Sequence, residues 1–218
     1  MPRFRRLVVP GYPHHVTQRG VRRQTTFFEA CDYQRYLKLA LDLLDEAPIE
    51  LLAYCLMPNH IHAVAVPMEE HGLAGFFGPL HKRYAQFTNM RHEWTGHLWQ
   101  ARFHSVVMRE EHAMAAMRYV ELNPVRSGLV KSPEDWPWSS ARGNLGLVDD
   151  KLLFDQSARK NILDWKQFLA APEDPSDLST LRRQTATGRP GGDPEFIDSI
   201  ETQSGRRVRR QPVGRKKR

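Results

Sequence analysis

An α+β fold follows from three features of this 218-residue chain. Short β-prone segments alternate with longer segments of helical spacing. Their order is strand, helix, strand, strand, helix, strand. A tight turn joins the two middle strands, and helical crossovers make the other connections. Four strands linked this way form one antiparallel sheet with both crossover helices on the same face. That arrangement is a ferredoxin-like (RRM-like) sandwich. A further helix after the fourth strand is available to cover the second face.

Each element has a local reason. Residues 14–18 (HHVTQ) are β-prone and bracketed by Gly11 and Gly20. Residues 30–46 place Tyr33, Tyr36, Leu37, Ala40, Leu41 and Leu44 on one helical stripe, and Pro48 ends it. Residues 49–56 and 60–66 are apolar strands, and Met57-Pro58-Asn59 between them predicts a hairpin. Residues 72–92 return to helical spacing, with Pro79 marking a kink or a second start. Residues 102–108 read as the fourth strand, and residues 110–123, rich in Ala, Met and Glu, as the added helix, stopped by Pro124. This organisation predicts a domain over residues 1–145.

Residues 146–218 read as a partly helical, basic extension. Residues 157–171 hold a short helical stretch. Residues 172–192, rich in Pro, Ser, Thr and Gly, read as a linker. A small helix over 193–203 opens with Asp193 as N-cap and Pro194 in the first turn.

Charge is segregated. Six arginines and no acids lie in residues 1–23, and eight basic residues and no acids in residues 205–218. In the remainder, 18 basic residues face 25 acidic ones. Basic ends of this kind bind polyanions, or are simply solvated. No apolar run reaches the roughly 18 residues of a membrane span. Cys31 and Cys55 form no metal or disulfide pattern, so a cytoplasmic protein without membrane contact is expected.

Two constellations carry chemistry. His60 and His62 are two apart on a strand and project from one face. They read either as half of a metal site or as two hydrogen-bonded rings at a strand end. Tyr119 and Asn123 are four apart on a helix and share a face. Tyr119 reads as a nucleophile or as a core aromatic, Asn123 as an oxygen ligand or as the helix's last residue. Ionising a phenol at pH 7 costs about 4 kcal/mol, which a divalent cation offsets while polarising a phosphate.

Four segments, in this order and at these intervals, carry a resemblance. They are Pro13-His14-His15-Val16-Thr17-Gln18-Arg19-Gly20, then Met57-Pro58-Asn59-His60-Ile61-His62. After these come Gly96-His97-Leu98-Trp99-Gln100-Ala101-Arg102-Phe103, and Tyr119-Val120-Glu121-Leu122-Asn123-Pro124-Val125-Arg126-Ser127-Gly128-Leu129-Val130. Over residues 3–144, including Trp136-Pro137-Trp138-Ser139-Ser140, the chain resembles the REP-associated tyrosine transposases. These are bacterial relatives of single-tyrosine insertion-sequence transposases with an HUH motif.

The resemblance implies His60, His62 and Asn123 as ligands of a divalent metal, Mg²⁺ or Mn²⁺, and Tyr119 as the nucleophile. It implies a single-stranded DNA endonuclease and strand transferase acting on hairpin-forming repeats through a 5′-phosphotyrosine. Arg19, Arg22, Arg23, Arg102 and Arg109 are the expected DNA-binding residues, with Trp94 and Trp99 as stacking candidates. No phosphate-loop motif is present, so no nucleotide cofactor is expected. A monomer or a homodimer fits equally. The alternatives are a hairpin-binding protein of the same fold without nuclease activity, a plasmid relaxase or replication initiator, and an RNA-binding module.

Overall fold

The computed structural model describes residues 6–154, 164–172 and 175–209. The helical expectation over 157–163 and the end of the basic tail lie outside the described residues. Strands β1 (His14–Arg19), β2 (Ile49–Met57), β3 (His60–Pro67) and β4 (His104–Val107) form one sheet in the order β2-β3-β1-β4. Every pairing is antiparallel. Helices α1 (Ala30–Leu44) and α2 (Gly72–Arg91) are the crossovers. The ferredoxin-like expectation therefore holds.

Two apolar layers sandwich the sheet. On one face Val16, Leu56, Ile61 and Ala63 pack against Tyr36, Leu39, Phe76 and Leu80 of α1 and α2. On the other, Ala53, Cys55 and Val64 meet Ala116, Met117 and Val120 of α3 (Glu110–Glu121). A bulge in β2 between Leu51 and Ala53 inverts the side-chain alternation. Ile49 and Leu51 face the crossover helices, and so do Tyr54 and Leu56 beyond the bulge.

The free edge of β2 is covered as well. Leu56 donates its N–H to the Trp138 carbonyl, and Ser140 donates to the Tyr54 carbonyl. The Trp136–Ser140 stretch thus closes an edge that would otherwise template aggregation. At the other end of the sheet Gly20 lies where β1 passes the β2–β3 turn. A Cβ there would come within 2.4 Å of the Gln24 carbonyl oxygen, so only glycine fits.

The structure departs from the sequence expectations at four places. Helix α2 runs through Pro79 as one helix; the hydrogen bond that proline removes falls at Gly75, whose exposed backbone water can satisfy. β4 is shorter than expected, leaving Arg102 and Phe103 outside it. Pro124 does not end helical geometry. Leu122 keeps right-handed helical angles, and a second turn, α4 (Asn123–Arg126), follows with Pro124 in its first turn, where its missing N–H costs nothing. The expected linker contains a helix. After α5 (Ala141–Asn144) and α6 (Trp165–Ala170), α7 spans Pro175–Thr187. Its inward face carries Leu181 but also Gln184 and Thr185, so its apolar signal is thin. α8 (Pro194–Ser204) matches expectation, with the Asp193 carboxylate accepting the Phe196 N–H at 2.8 Å.

One buried carboxylate pins the end of α3. Glu121 is 0% exposed. It accepts Ser140 Oγ at 2.6 Å, Trp165 Nε1 at 2.8 Å and the Asn144 amide. A buried carboxylate survives only when donors replace its water. Glu121→Ala strands three donors and should cost on the order of 3 kcal/mol. Thermal denaturation should show a midpoint roughly 6–12 °C lower; a change within 1–2 °C would show that Glu121 pins nothing.

Candidate active site

The pleat decides which side chains meet. His60, His62 and Val64 lie on the α3 face of β3. In the β1–β3 pairing Thr17 is opposite His62, Arg19 is opposite His60, and His15 is opposite Val64. So His15, Thr17 and Arg19 share that face with the histidine pair. α3 crosses the same face, and Tyr119 lies at the flank of its apolar stripe. The Tyr119 ring meets His62 edge-on at 5.7 Å between centroids, and His15 at 6.0 Å. The His60 and His62 rings are 5.0 Å apart. Residues some sixty positions apart in the chain thereby surround one open cleft of about 540 Å³. Its lining also includes Arg19, Arg23, Asn123, Gln100, His104 and Thr185. A larger hollow of about 730 Å³, on the α2 side, contains none of His60, His62 and Tyr119; chemistry rather than size selects the cleft.

Each histidine has its Nδ1 committed. His60 Nδ1 meets Asn59 Oδ1 at 2.6 Å, and His62 Nδ1 meets His15 Nε2 at 2.9 Å. Asn59 also donates Nδ2 to the Arg23 carbonyl at 2.9 Å, tying the basic loop to His60. Asn123 donates Nδ2 to the Val120 carbonyl at 3.4 Å, leaving Oδ1 as its other polar atom. Among the described residues no group of three or more His, Cys, Asp or Glu is placed to hold a metal ion. The donor set in this cleft is two imidazoles and an amide oxygen. That set fits a divalent cation held through the two Nε2 atoms, with the Nδ1 contacts orienting the rings.

Burial keeps these rings neutral, as metal ligands must be. Burial and then the charge of Arg19 bring His60 down to about 4. Burial alone brings His15 to about 4. His62 falls well below its ordinary value, first through burial, then through His15, His60, Arg126 and Arg19. Tyr119 is half-buried, with the Arg126 guanidinium 4.2 Å above its ring centroid. Arg126 also donates to the Tyr119 carbonyl. Four buried tyrosines elsewhere are poorly suited to ionise. Burial, the first cause in each case, pushes Tyr33 up to about 12 and raises Tyr36, Tyr54 and Tyr84 well above the ordinary tyrosine value.

The expected arginines divide. Arg19 and Arg23 line the cleft. Arg22 and Arg23 adopt left-handed backbone, with φ of 52° and 62°; two such residues in succession, neither glycine, mark a loop held in place by its surroundings. Arg102 is exposed beside other hollows. Arg109 is engaged with Asp193 at 2.9 Å and Glu111 at 3.6 Å, joining α3 to α8. Trp99 is buried, with Nε1 donating to the His81 carbonyl, so it is a core residue. Trp94 is 42% exposed and stacks on His92.

His15, Asn59, Thr185 and Arg126 escaped the sequence reading of the site. For His15 the pleat gives a partial signal, a side chain on the same face as Thr17, and only the β1–β3 register brings that face to His62. For Thr185 there was none.

Comparison with known proteins fixes the lineage. The model for IS200-like transposases matches residues 9–123, more than half of the chain. The chain belongs to the IS200-like transposase family. Within that span lie all of the residues that meet in the cleft except Thr185. A Haemophilus influenzae protein, named by inference as a REP-associated tyrosine transposase, is 32% identical over 104 residues, covering 43% of this chain and 59% of its own length. The Escherichia coli REP-associated tyrosine transposase is 21% identical over 141 residues, covering 64% of this chain and 82% of its own. A solved REP-associated tyrosine transposase bound to a REP hairpin shares the fold, with a TM-score of 0.58 and 22% identity. That match covers 72% of this chain and 94% of the solved one. Among the described residues no helix is long and apolar enough to cross a membrane.

The histidine environment makes a test in solution. The folded values of His15 and His60 lie near 4, below the ordinary 6.5. The unfolded chain therefore binds more protons between those limits. The stability these rings contribute is full above about pH 6.5 and is lost as pH falls through about 4. Imidazole NMR signals of His15 and His60 should stay flat from pH 8 to pH 5, while the melting temperature falls across the lower part of that range. Titration of either ring near pH 6.5 would contradict the burial.

Proposed function

We propose that this IS200-like family member is a metal-dependent endonuclease and strand transferase for single-stranded, hairpin-forming DNA, with Tyr119 as nucleophile. The observation that carries the reading is the packing of Tyr119 against His62 inside a cleft edged by Arg19 and Arg23. The kinship with REP-associated transposases, one of them solved with a REP hairpin, supports the substrate class.

His60, His62 and Asn123 would hold the metal, Mg²⁺ or Mn²⁺. When bound, it supplies positive charge at the scissile phosphate and eases loss of the phenolic proton. Arg19 and Arg23 neutralise neighbouring phosphates and orient the strand. Arg126 steadies the Tyr119 ring from its face and adds positive charge beside the phenol. The Tyr119 oxygen attacks phosphorus, and the bond from phosphorus to the 3′ oxygen breaks. The products are a 5′-phosphotyrosine and a free 3′-hydroxyl, with the phenolic proton balanced by the one taken up at the 3′ oxygen. Because the ester keeps the bond energy, a 3′-hydroxyl can reverse the attack and rejoin strands without a nucleotide cofactor.

Tyr119→Phe should bind hairpin DNA with unchanged affinity and give no covalent adduct on a denaturing gel. Adduct persisting in that variant would displace Tyr119 from the role. His60→Ala should fold and bind hairpin DNA, with adduct formation reduced at least a hundredfold at fixed Mn²⁺. Loss of folding in His60→Ala would instead make the pair structural.

A further inference from the structure

The His60/His62 site is backed by a chain of hydrogen bonds whose direction can be deduced atom by atom. Thr185, on α7, sends its hydroxyl hydrogen to the Leu181 carbonyl at 2.7 Å. A hydroxyl has only one hydrogen. At its 3.1 Å contact with His15 Nδ1, Thr185 Oγ1 must therefore accept. That requires His15 to carry its proton on Nδ1. A neutral imidazole with Nδ1 protonated has a lone pair on Nε2. His15 Nε2 lies 2.9 Å from His62 Nδ1, so His62 donates there. His62 is then also protonated on Nδ1, and its Nε2 lone pair is left for the cleft.

We propose that Thr185 and His15 are positioning residues that lock His62 into the one tautomer able to bind a divalent cation through Nε2. The proposal rests on the metal-site reading of the cleft given above. It makes α7, beyond the span matched by the family model, a working part of the site. The supporting packing is local. Leu181 is buried in the apolar layer that also holds Val64 and Val120, and Gln184 beside it is buried. Thr185 is thus seated from a helix that cannot slide without opening that layer. The rings of His15 and His62 lie nearly parallel, 10° apart with centroids 5.1 Å apart, a geometry compatible with a hydrogen bond in the plane of both rings. His15 is 3% exposed and His62 5%, so water does not compete for the bond.

The alternative role for this chain is purely structural: a polar tie between α7 and the sheet. The two differ in what Thr185→Val and Thr185→Ser do. Valine keeps the shape and removes the acceptor, and serine keeps the acceptor. Orienting partners of this kind typically contribute ten- to a hundredfold in metal affinity.

The experiment uses the full chain. Long-range ¹H–¹⁵N spectra of the metal-free protein report each imidazole tautomer. Mn²⁺ binding is followed by electron paramagnetic resonance, and hairpin-DNA binding is measured alongside. In the wild type both His15 and His62 should carry Nδ1–H and a bare Nε2. Thr185→Val should mix the tautomers of both rings and weaken Mn²⁺ binding about tenfold, with hairpin affinity unchanged. Thr185→Ser should restore both readouts. His15 found protonated on Nε2, or a Thr185→Val protein with wild-type tautomers and Mn²⁺ affinity, would overturn the proposal. Should Thr185→Val unfold, His15→Gln takes its place, since its side-chain oxygen can still accept from His62. Its Mn²⁺ affinity should stay within about threefold of wild type, against a loss of tenfold or more in His15→Phe; equal losses in both would overturn the proposal. Wild-type Mn²⁺ binding in His60→Ala would mark a different failure, that of the metal-site reading, while the tautomer spectra still decide the relay.

Discussion

The Glu121 carboxylate holds the geometry of the Tyr119–histidine cleft in register. It lies two residues beyond Tyr119, fully buried, and collects donors from α5, from α6 and from the segment that closes the β2 edge. A buried carboxylate with fixed donors has one low-energy position, so the helix end that carries it has one too. With α3 locked against Ala53, Cys55 and Val64, the Tyr119 ring cannot drift from His62. The same pin sets where the chain re-enters a helical turn at Asn123. The distance between the Tyr119 ring and the imidazoles is therefore a property of core packing, enforced from below the cleft rather than within it.

The two faces of the sheet divide the work. The α1/α2 face is a plain apolar core, with buried aromatics such as Phe27, Phe76 and Tyr84. The α3 face is apolar only over its β2 half. Towards β1 it turns polar, with His15, Thr17, Arg19, His60 and His62 in a contiguous patch. Polar groups there are linked to one another instead of to the core. His60 leans on Asn59, Asn59 on the backbone of the arginine loop, His62 on His15, and His15 on Thr185. The contacts of His60, His62 and His15 satisfy groups that would otherwise be costly to bury and restrict those three rings.

Much of this was legible in the sequence, for physical reasons. The strands and crossover helices are read from periodicity, because each must present one apolar face. The shared face of His60 and His62 follows from the pleat alone, and the shared face of Tyr119 and Asn123 from the helical repeat. Other features need the third dimension. His15 shows its role only once the β1–β3 register sets Thr17 opposite His62. α7 lies in a stretch whose Pro, Ser, Thr and Gly content reads as a linker, and two of its inward residues, Gln184 and Thr185, are polar. Helical periodicity is detected through apolar residues, so a helix that inserts hydrogen-bonding groups into a site hides its own signal. Arg109, a DNA-binding expectation, shows a partner that sequence does not reveal: it pairs with Asp193 across 84 positions.

A crystal structure of the full chain with Mn²⁺ and a single-stranded hairpin substrate tests the central claim most directly, that imidazoles and phenol serve one cation and one phosphate. The account predicts a Mn²⁺ peak about 2.0–2.2 Å from Nε2 of both His60 and His62, with Asn123 Oδ1 completing the protein ligands and a phosphate lying between the ion and the Tyr119 hydroxyl. A cation bound elsewhere, or bound here with the Tyr119 hydroxyl turned away from every phosphate, would contradict it.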